Sequence, residues 1–107
     1  MNVGYLSMSA TAVLQAIANG YIYGFDIMEA TGLPSGTVYP ALRRMEGAGL
    51  IASRWEEAAV AQRDLRPARK YYAISRTGQL ALTESVARYR LADRKPQRQT
   101  KPSPERR

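Results

Sequence analysis

The sequence predicts a mainly α-helical chain with one small β-hairpin. Three observations predict it. Apolar residues recur at helical spacing in four separate stretches. Two short runs rich in aromatic and β-branched residues, 50–56 and 69–75, lie between the third and the fourth. Glycine and proline mark most of the boundaries. A length of 107 residues suits one small domain with a modest core.

Ser9 is placed to cap a first helix running to about residue 19, with Val13, Leu14 and Ile17 on its apolar stripe and Gly20 as its stop. A second helix covers about 23–31, with Phe25, Ile27 and Met28 facing inward and Gly32 at its end. A tight turn over 33–36 leads into a third helix, for which Ser35 is the expected N-cap and 47–49 the stop. Val38, Leu42 and Met45 share one face of it. Gly36, Pro40, Arg43 and Gly47 fall on the opposite face, flanked by Tyr39 and Arg44. Pro40 lies past the first turn and is expected to distort the helix locally.

The strands 50–56 and 69–75 form the hairpin, and their connection, 57–68, reads as a long polar tip. Tyr71 and Tyr72 point to opposite faces, one of them inward. Ser75 caps a last helix over about 76–93. Its Leu80, Ala81, Leu82, Val86, Ala87, Tyr89 and Leu91 cover more than one stripe. The excess predicts a second apolar surface packed on a partner chain.

The chain has neither Cys nor His. That removes disulfides, thiolate nucleophiles, Ser-His-Asp triads and the usual zinc, haem and iron–sulfur ligand sets. The carboxylate pairs Asp26 with Glu29 and Glu56 with Glu57 could be read as the Mg²⁺ ligands of a nuclease. Neither has a third carboxylate nearby in sequence, so no catalytic, cofactor or metal site is expected. The first charged residue is Asp26, but Gly4, Ser7, Ser9, Thr11, Gln15, Asn19 and Gly20 break any membrane-spanning run, and a basic leader region is lacking. A soluble, cytoplasmic protein is the expectation.

Lys and Arg number 16 against nine Asp and Glu, a net charge of +7. The segment 94–107 carries six basic and one acidic residue and three prolines, and reads as a disordered basic tail. It either keeps the chain soluble or serves as a non-specific phosphate-binding arm. The rest, with ten basic and eight acidic residues, is nearly balanced, so evidence for a nucleic-acid partner has to come from its pattern.

Three helices, a hairpin and a closing helix make a winged helix-turn-helix over 1–75, followed by a dimerisation helix over 76–93. In that arrangement the third helix enters the major groove of duplex DNA. Ser35 and Gly36 open it, and Gly36 and Gly47 permit close approach of a sugar-phosphate strand. Thr37 and Tyr39 offer hydroxyls beside a helix N-terminus suited to phosphate, with Pro40 in the same stretch. Arg43 can reach guanine O6 and N7, and Arg44 a phosphate. From the wing, Arg66, Arg69 and Lys70 can reach the adjacent groove or backbone. Trp55, the only Trp, is either a flat wall of an effector pocket at a dimer interface or ordinary hairpin packing, the commoner fate of a Trp on a strand. Leu82, Val86 and Tyr89 are the matching interface or effector candidates on the last helix.

These residues carry a resemblance. The run YGFDIMEATGLPSGTVYPALRRMEGAGLIASRW, followed by RPARKYYAISRTG, resembles the PadR family of bacterial transcriptional regulators. The matching elements are Tyr23-Gly24-Phe25, Ser35 to Pro40, Arg44-Met45-Glu46, Gly49-Leu50-Ile51, Arg69 to Tyr72, then Ser75 and Gly78. The resemblance covers about residues 13–91. It implies a homodimeric repressor that binds a pseudo-palindromic DNA operator and is released by a hydrophobic or aromatic small molecule. A single helix after the wing matches the shorter branch, in which that helix packs against the partner's N-terminal region. The wing tip departs from the pattern: Glu56, Glu57 and Asp64 dilute its charge, and Ala58-Ala59-Val60-Ala61 is unusually apolar. The alternative is a winged helix used for protein contacts without specific DNA binding, against which Arg43 and Arg44 argue.

Overall fold

The computed structural model of the protein describes residues 6–93, so the basic segment 94–107 lies outside the described residues. Their elements run α1 (Met8–Ala18), α2 (Gly24–Thr31), α3 (Ser35–Gly47), β1 (Ile51–Trp55), α4 (Ala58–Arg63), β2 (Lys70–Ile74) and α5 (Arg76–Asp93).

Helix α1 is the hub and packs against α2, α3, α5 and β2. It buries residues on two sides, among them Val13, Leu14 and Ile17. Ser7, rather than Ser9, caps it. Ser7 is extended at φ −67°, ψ 165°, and its Oγ accepts the Ala10 N–H at 3.0 Å. The Thr11 hydroxyl donates to the Ser7 carbonyl at 2.8 Å and holds the same turn, which leaves Ser9 inside the helix.

Helix α2 presents only a narrow stripe to the core, and Ile27 fills it, with Met28 half-buried. Phe25, expected inside, is 60% exposed. Two residues before Ile27 it stands about 200° round the helix, away from that stripe. Tyr23 precedes the helix as its cap residue instead of opening it.

Helix α3 starts at Ser35 with Pro34 in the cap position, which corrects the expectation that Ser35 is the N-cap. The ring of Pro34 fixes φ near −76°, with ψ at 163°, and its carbonyl receives the N–H groups of Thr37 and Val38, both at 3.0 Å. The helix runs through Pro40 without a break. The carbonyl that Pro40 leaves without an i+4 donor is that of Gly36, in the exposed first turn where water can reach it. Val38, Leu42 and Met45 are buried as their spacing predicts, joined by Ala41.

Strands β1 and β2 pair antiparallel from Ile51↔Ile74 to Trp55↔Lys70. Tyr72 is buried and Tyr71 half-buried, in the predicted alternation. The far edge of β2 is tied to the approach to α2: the Tyr72 N–H donates to the Ile22 carbonyl at 2.8 Å, and Tyr23 bridges Tyr71. The connection is more than a polar tip. Its apolar Ala58–Ala61 run opens helix α4, with Ala61 buried. That helix closes in a Schellman turn, in which the N–H groups of Leu65 and Arg66 meet the carbonyls of Gln62 and Ala61, each at 3.1 Å. Leu65 occupies the left-handed position at φ 57°. The same turn ends α1 and α3, where Gly20 and Gly49 hold that position.

Helix α5 is capped by Ser75, whose Oγ accepts the Gly78 N–H at 3.0 Å. A Cβ on Gly78 would overlap the Leu50 carbonyl oxygen, so only glycine lets α5 leave the hairpin this closely. Leu82 is buried, Ala81 and Val86 pack beside it, and the Tyr89 hydroxyl donates to the Leu6 carbonyl at 2.6 Å. Leu80 stays 66% exposed. Among the described residues, no helix is long and apolar enough to cross a membrane.

Candidate nucleic-acid interface

A cleft of about 860 Å³ opens between the start of α2, the middle of α3 and the hairpin. The core sets its α3 wall. With Val38, Leu42 and Met45 turned inward, the neighbouring stripe carries Tyr39 and Arg43, four residues apart on one side. Arg43 is exposed and Tyr39 is 40% exposed, and both line the cleft. The Tyr39 ring lies over Gly24, where a Cβ would overlap its hydroxyl. The same side of α3 meets β1 at Glu46, whose carboxylate accepts the Ser53 hydroxyl at 2.6 Å.

The opposite wall is the hairpin. Trp55 and Lys70 are paired residues, with the Lys70 ammonium 5.7 Å from the Trp55 ring centre and 6.0 Å from that of Tyr72. Burial, with the nearby Glu46 and Tyr39 adding to it, pushes the Tyr72 hydroxyl pKa up. Arg69 lies 4.1 Å over the Tyr23 ring, and Tyr23 meets Tyr71 edge-on with centres 5.9 Å apart. Trp55 is 64% exposed, so hairpin packing does not account for it.

Among the described residues, four cations and no carboxylate line the cleft. Arg66 is bound by two N–H groups to Glu56, at 2.6 and 2.9 Å, and reaches Asp64 at 3.2 Å. The Arg66 guanidinium, with the Arg69 N–H and Tyr71 hydroxyl assisting, lowers the Glu56 pKa to about 2 against the cost of desolvation. Among the described residues, Arg43, Arg69 and Lys70 form no salt bridge. Their charge is thus available to an anionic ligand, and the aromatic rings offer flat apolar surface beside it.

The structure therefore brings Tyr39, Arg43, Trp55, Arg66, Arg69 and Lys70 to one cleft. Ser35, Gly36 and Arg44 are exposed on α3 outside its lining, and Thr37 and Pro40 are half-buried. Leu82, Val86 and Tyr89 lie elsewhere, with Leu82 in the chain's own core. Tyr23 and Phe25 line the cleft, although sequence reasoning does not single them out as site residues. Their signal is the Tyr23-Gly24-Phe25 triplet, in which the small residue between two rings makes room for Tyr39. Among the described residues no group of three Asp or Glu could hold a metal ion.

The sequence profile described as the transcriptional regulator PadR-like family matches residues 13–84. No curated protein matches the chain significantly. Solved structures do. A PadR family transcription regulator from Clostridium difficile R20291 is 24% identical over 81% of this chain and 92% of its own, with a TM-score of 0.70. A PadR-like transcriptional regulator from Bacillus cereus is 26% identical over 78% of this chain and 82% of its own, with a TM-score of 0.63. Bordetella bronchiseptica BpsR, described in terms of regulation of its DNA binding by 6-hydroxynicotinic acid, shares the fold at 17% identity and a TM-score of 0.67, over 87% of this chain and 66% of its own. The family profile spans two-thirds of the sequence, including all of α2, α3 and the hairpin, and the chain belongs to the PadR-like family of transcriptional regulators, DNA-binding proteins rather than enzymes.

Proposed function

We propose that the chain is a homodimeric repressor that binds a pseudo-palindromic operator through α3 and the wing. The observation that carries this reading is the cleft itself, where among the described residues Arg43, Arg69 and Lys70 form no salt bridge and no carboxylate lines the wall. Helix α3 enters the major groove, and Arg43 reads a base edge. Ser35, Gly36, Thr37, Pro40 and Arg44 face the flanking backbone, and the hairpin cations hold the strand on the other side of the cleft. A dimer is supported by the apolar surface that the single chain leaves open, notably Leu80 and Met8, 66% and 63% exposed. Two subunits would set half-sites about one helical turn apart.

Release by a hydrophobic or aromatic small molecule completes the reading. BpsR, a fold relative regulated by 6-hydroxynicotinic acid, offers the analogy. A flat ligand stacked on Trp55 would occupy the cleft that we assign to DNA.

Fluorescence anisotropy tests the proposal, with the duplex upstream of the chain's own reading frame, a scrambled duplex and a range of salt concentrations. Preference for the native duplex that survives moderate salt supports it. Equal, weak binding that vanishes with salt leaves only non-specific attraction by the basic tail and favours a role in protein contacts or an operator elsewhere. Replacing Arg43 by Ala is expected to cost about 1–3 kcal/mol of binding and to relax the sequence preference at one position of each half-site. Unchanged affinity and preference would remove Arg43 from the interface.

A further inference from the structure

Glu56 stands where β1 ends, and its side chain is only 6% exposed. Its two carboxylate oxygens receive four donors from one short stretch of chain: Arg66 Nη1 at 2.6 Å, Arg66 Nη2 at 2.9 Å, the Tyr71 hydroxyl at 3.1 Å and the Arg69 N–H at 3.2 Å. Its own N–H donates to the Arg69 carbonyl at 2.7 Å, which carries the hairpin ladder one step past Trp55↔Lys70. Arg66 reaches it because the Schellman turn at Leu65 reverses the chain as α4 ends. Tyr71 in turn meets Tyr23, over which the Arg69 guanidinium lies. One carboxylate thus connects the ends of both strands, the exit of α4 and the approach to α2.

In a protein that binds a polyanion this placement is electrostatically adverse. A carboxylate behind a DNA-facing wall repels phosphate and neutralises Arg66, one of the four cations of the cleft. We propose that Glu56 is a positioning residue for DNA binding: it fixes Arg69 and Lys70 in the cleft wall, and Arg66 serves as its tether instead of contacting phosphate. This rests on the reading of the cleft as the DNA face.

Charge and position predict opposite signs, which makes the proposal testable. Glu57 is adjacent, exposed and without a side-chain capping bond. Glu56→Gln and Glu57→Gln remove the same charge one residue apart. Operator affinity and its salt dependence are measured for the full-length wild type and both variants, with thermal melting followed alongside.

We expect Glu57→Gln to bind as tightly as wild type or slightly tighter. Glu56→Gln is expected to bind about tenfold more weakly despite its added positive charge. Its salt slope should be shallower by about one for each phosphate that the displaced cations cease to neutralise, a change that reduced stability alone would not produce. Tyr71→Phe deletes one donor and no charge, so it should weaken binding in the same direction by a smaller factor. It also serves as the test if Glu56→Gln does not fold. Glu56→Gln binding as tightly as Glu57→Gln, or Tyr71→Phe binding like wild type where it is the only folded variant, overturns the proposal while leaving the DNA reading intact. A wild type that prefers no duplex removes the DNA reading and this proposal with it.

Discussion

The two walls of the cleft are held by different forces. Helix α3 is anchored by apolar burial of Val38, Ala41, Leu42 and Met45 against the hub helix and its neighbours. The segment between the two strands buries one alanine from α4, and it is tied to the strand ends by a carboxylate, a guanidinium, a phenol and an arginine lying over a tyrosine. Apolar burial is non-directional and indifferent to pH. Polar contacts are directional, and ionic ones depend on protonation. The recognition helix should therefore hold its place for as long as the domain is folded, whereas the wing can lose its geometry while the core stays intact.

The largest effect that would probe this difference is at Leu42, which is 1% exposed. Leu42→Ala should lower the unfolding free energy by about 2–5 kcal/mol, measured by urea denaturation, with the whole domain unfolding in one transition. A loss of α3 while the hairpin stays folded would break the comparison.

Acid should act on the wing first. Glu56 titrates at about 2 in the folded chain, against an ordinary value of 4.5. A carboxyl with a lower pKa folded than unfolded adds stability above its unfolded pKa, and that contribution fades as the pH falls from about 4.5 towards 2. Amide hydrogen exchange across this window should show protection lost near residues 64–71 before it is lost in α1 and α3. Simultaneous loss would mean that the wing has no separate equilibrium.

The smallest effect is at Leu65, 92% exposed and in the left-handed region where a side chain is unfavourable. Leu65→Gly should relieve about 1–2 kcal/mol of backbone strain, partly offset by the entropy glycine loses on folding. The net gain should be at most about 1 kcal/mol, read from the unfolding midpoint. No gain would mean that the turn tolerates leucine as well as its two counterparts tolerate glycine.

What could be read from the sequence follows the same division. The stripe Val38, Leu42 and Met45 is periodic, so the core, the orientation of α3 and the exposure of Arg43 are legible. The strands show through Arg69-Lys70-Tyr71-Tyr72, and the Ser75 cap through its place before an apolar run. Helix α4 is not legible, because its six residues bury one side chain and its exit is held by a contact between residues ten apart in sequence. That Arg66 is paired is hidden for the same reason, since nothing local in the sequence shows that Glu56 holds it. The helix pattern places Phe25 inward, and hairpin packing is the commoner fate of a strand Trp such as Trp55, although a narrow α2 stripe and the outer end of β1 leave both exposed.

Trp55 has one more consequence. It is the sole indole among 107 residues and sits in the cleft wall beside a lysine ammonium. Light absorbed at the red edge of the protein's ultraviolet band therefore excites one location, so the intrinsic emission reports on the cleft without a label. Its colour follows how much water surrounds that ring. The molecule carries its own optical gauge of whether the cleft is open to solvent or occupied.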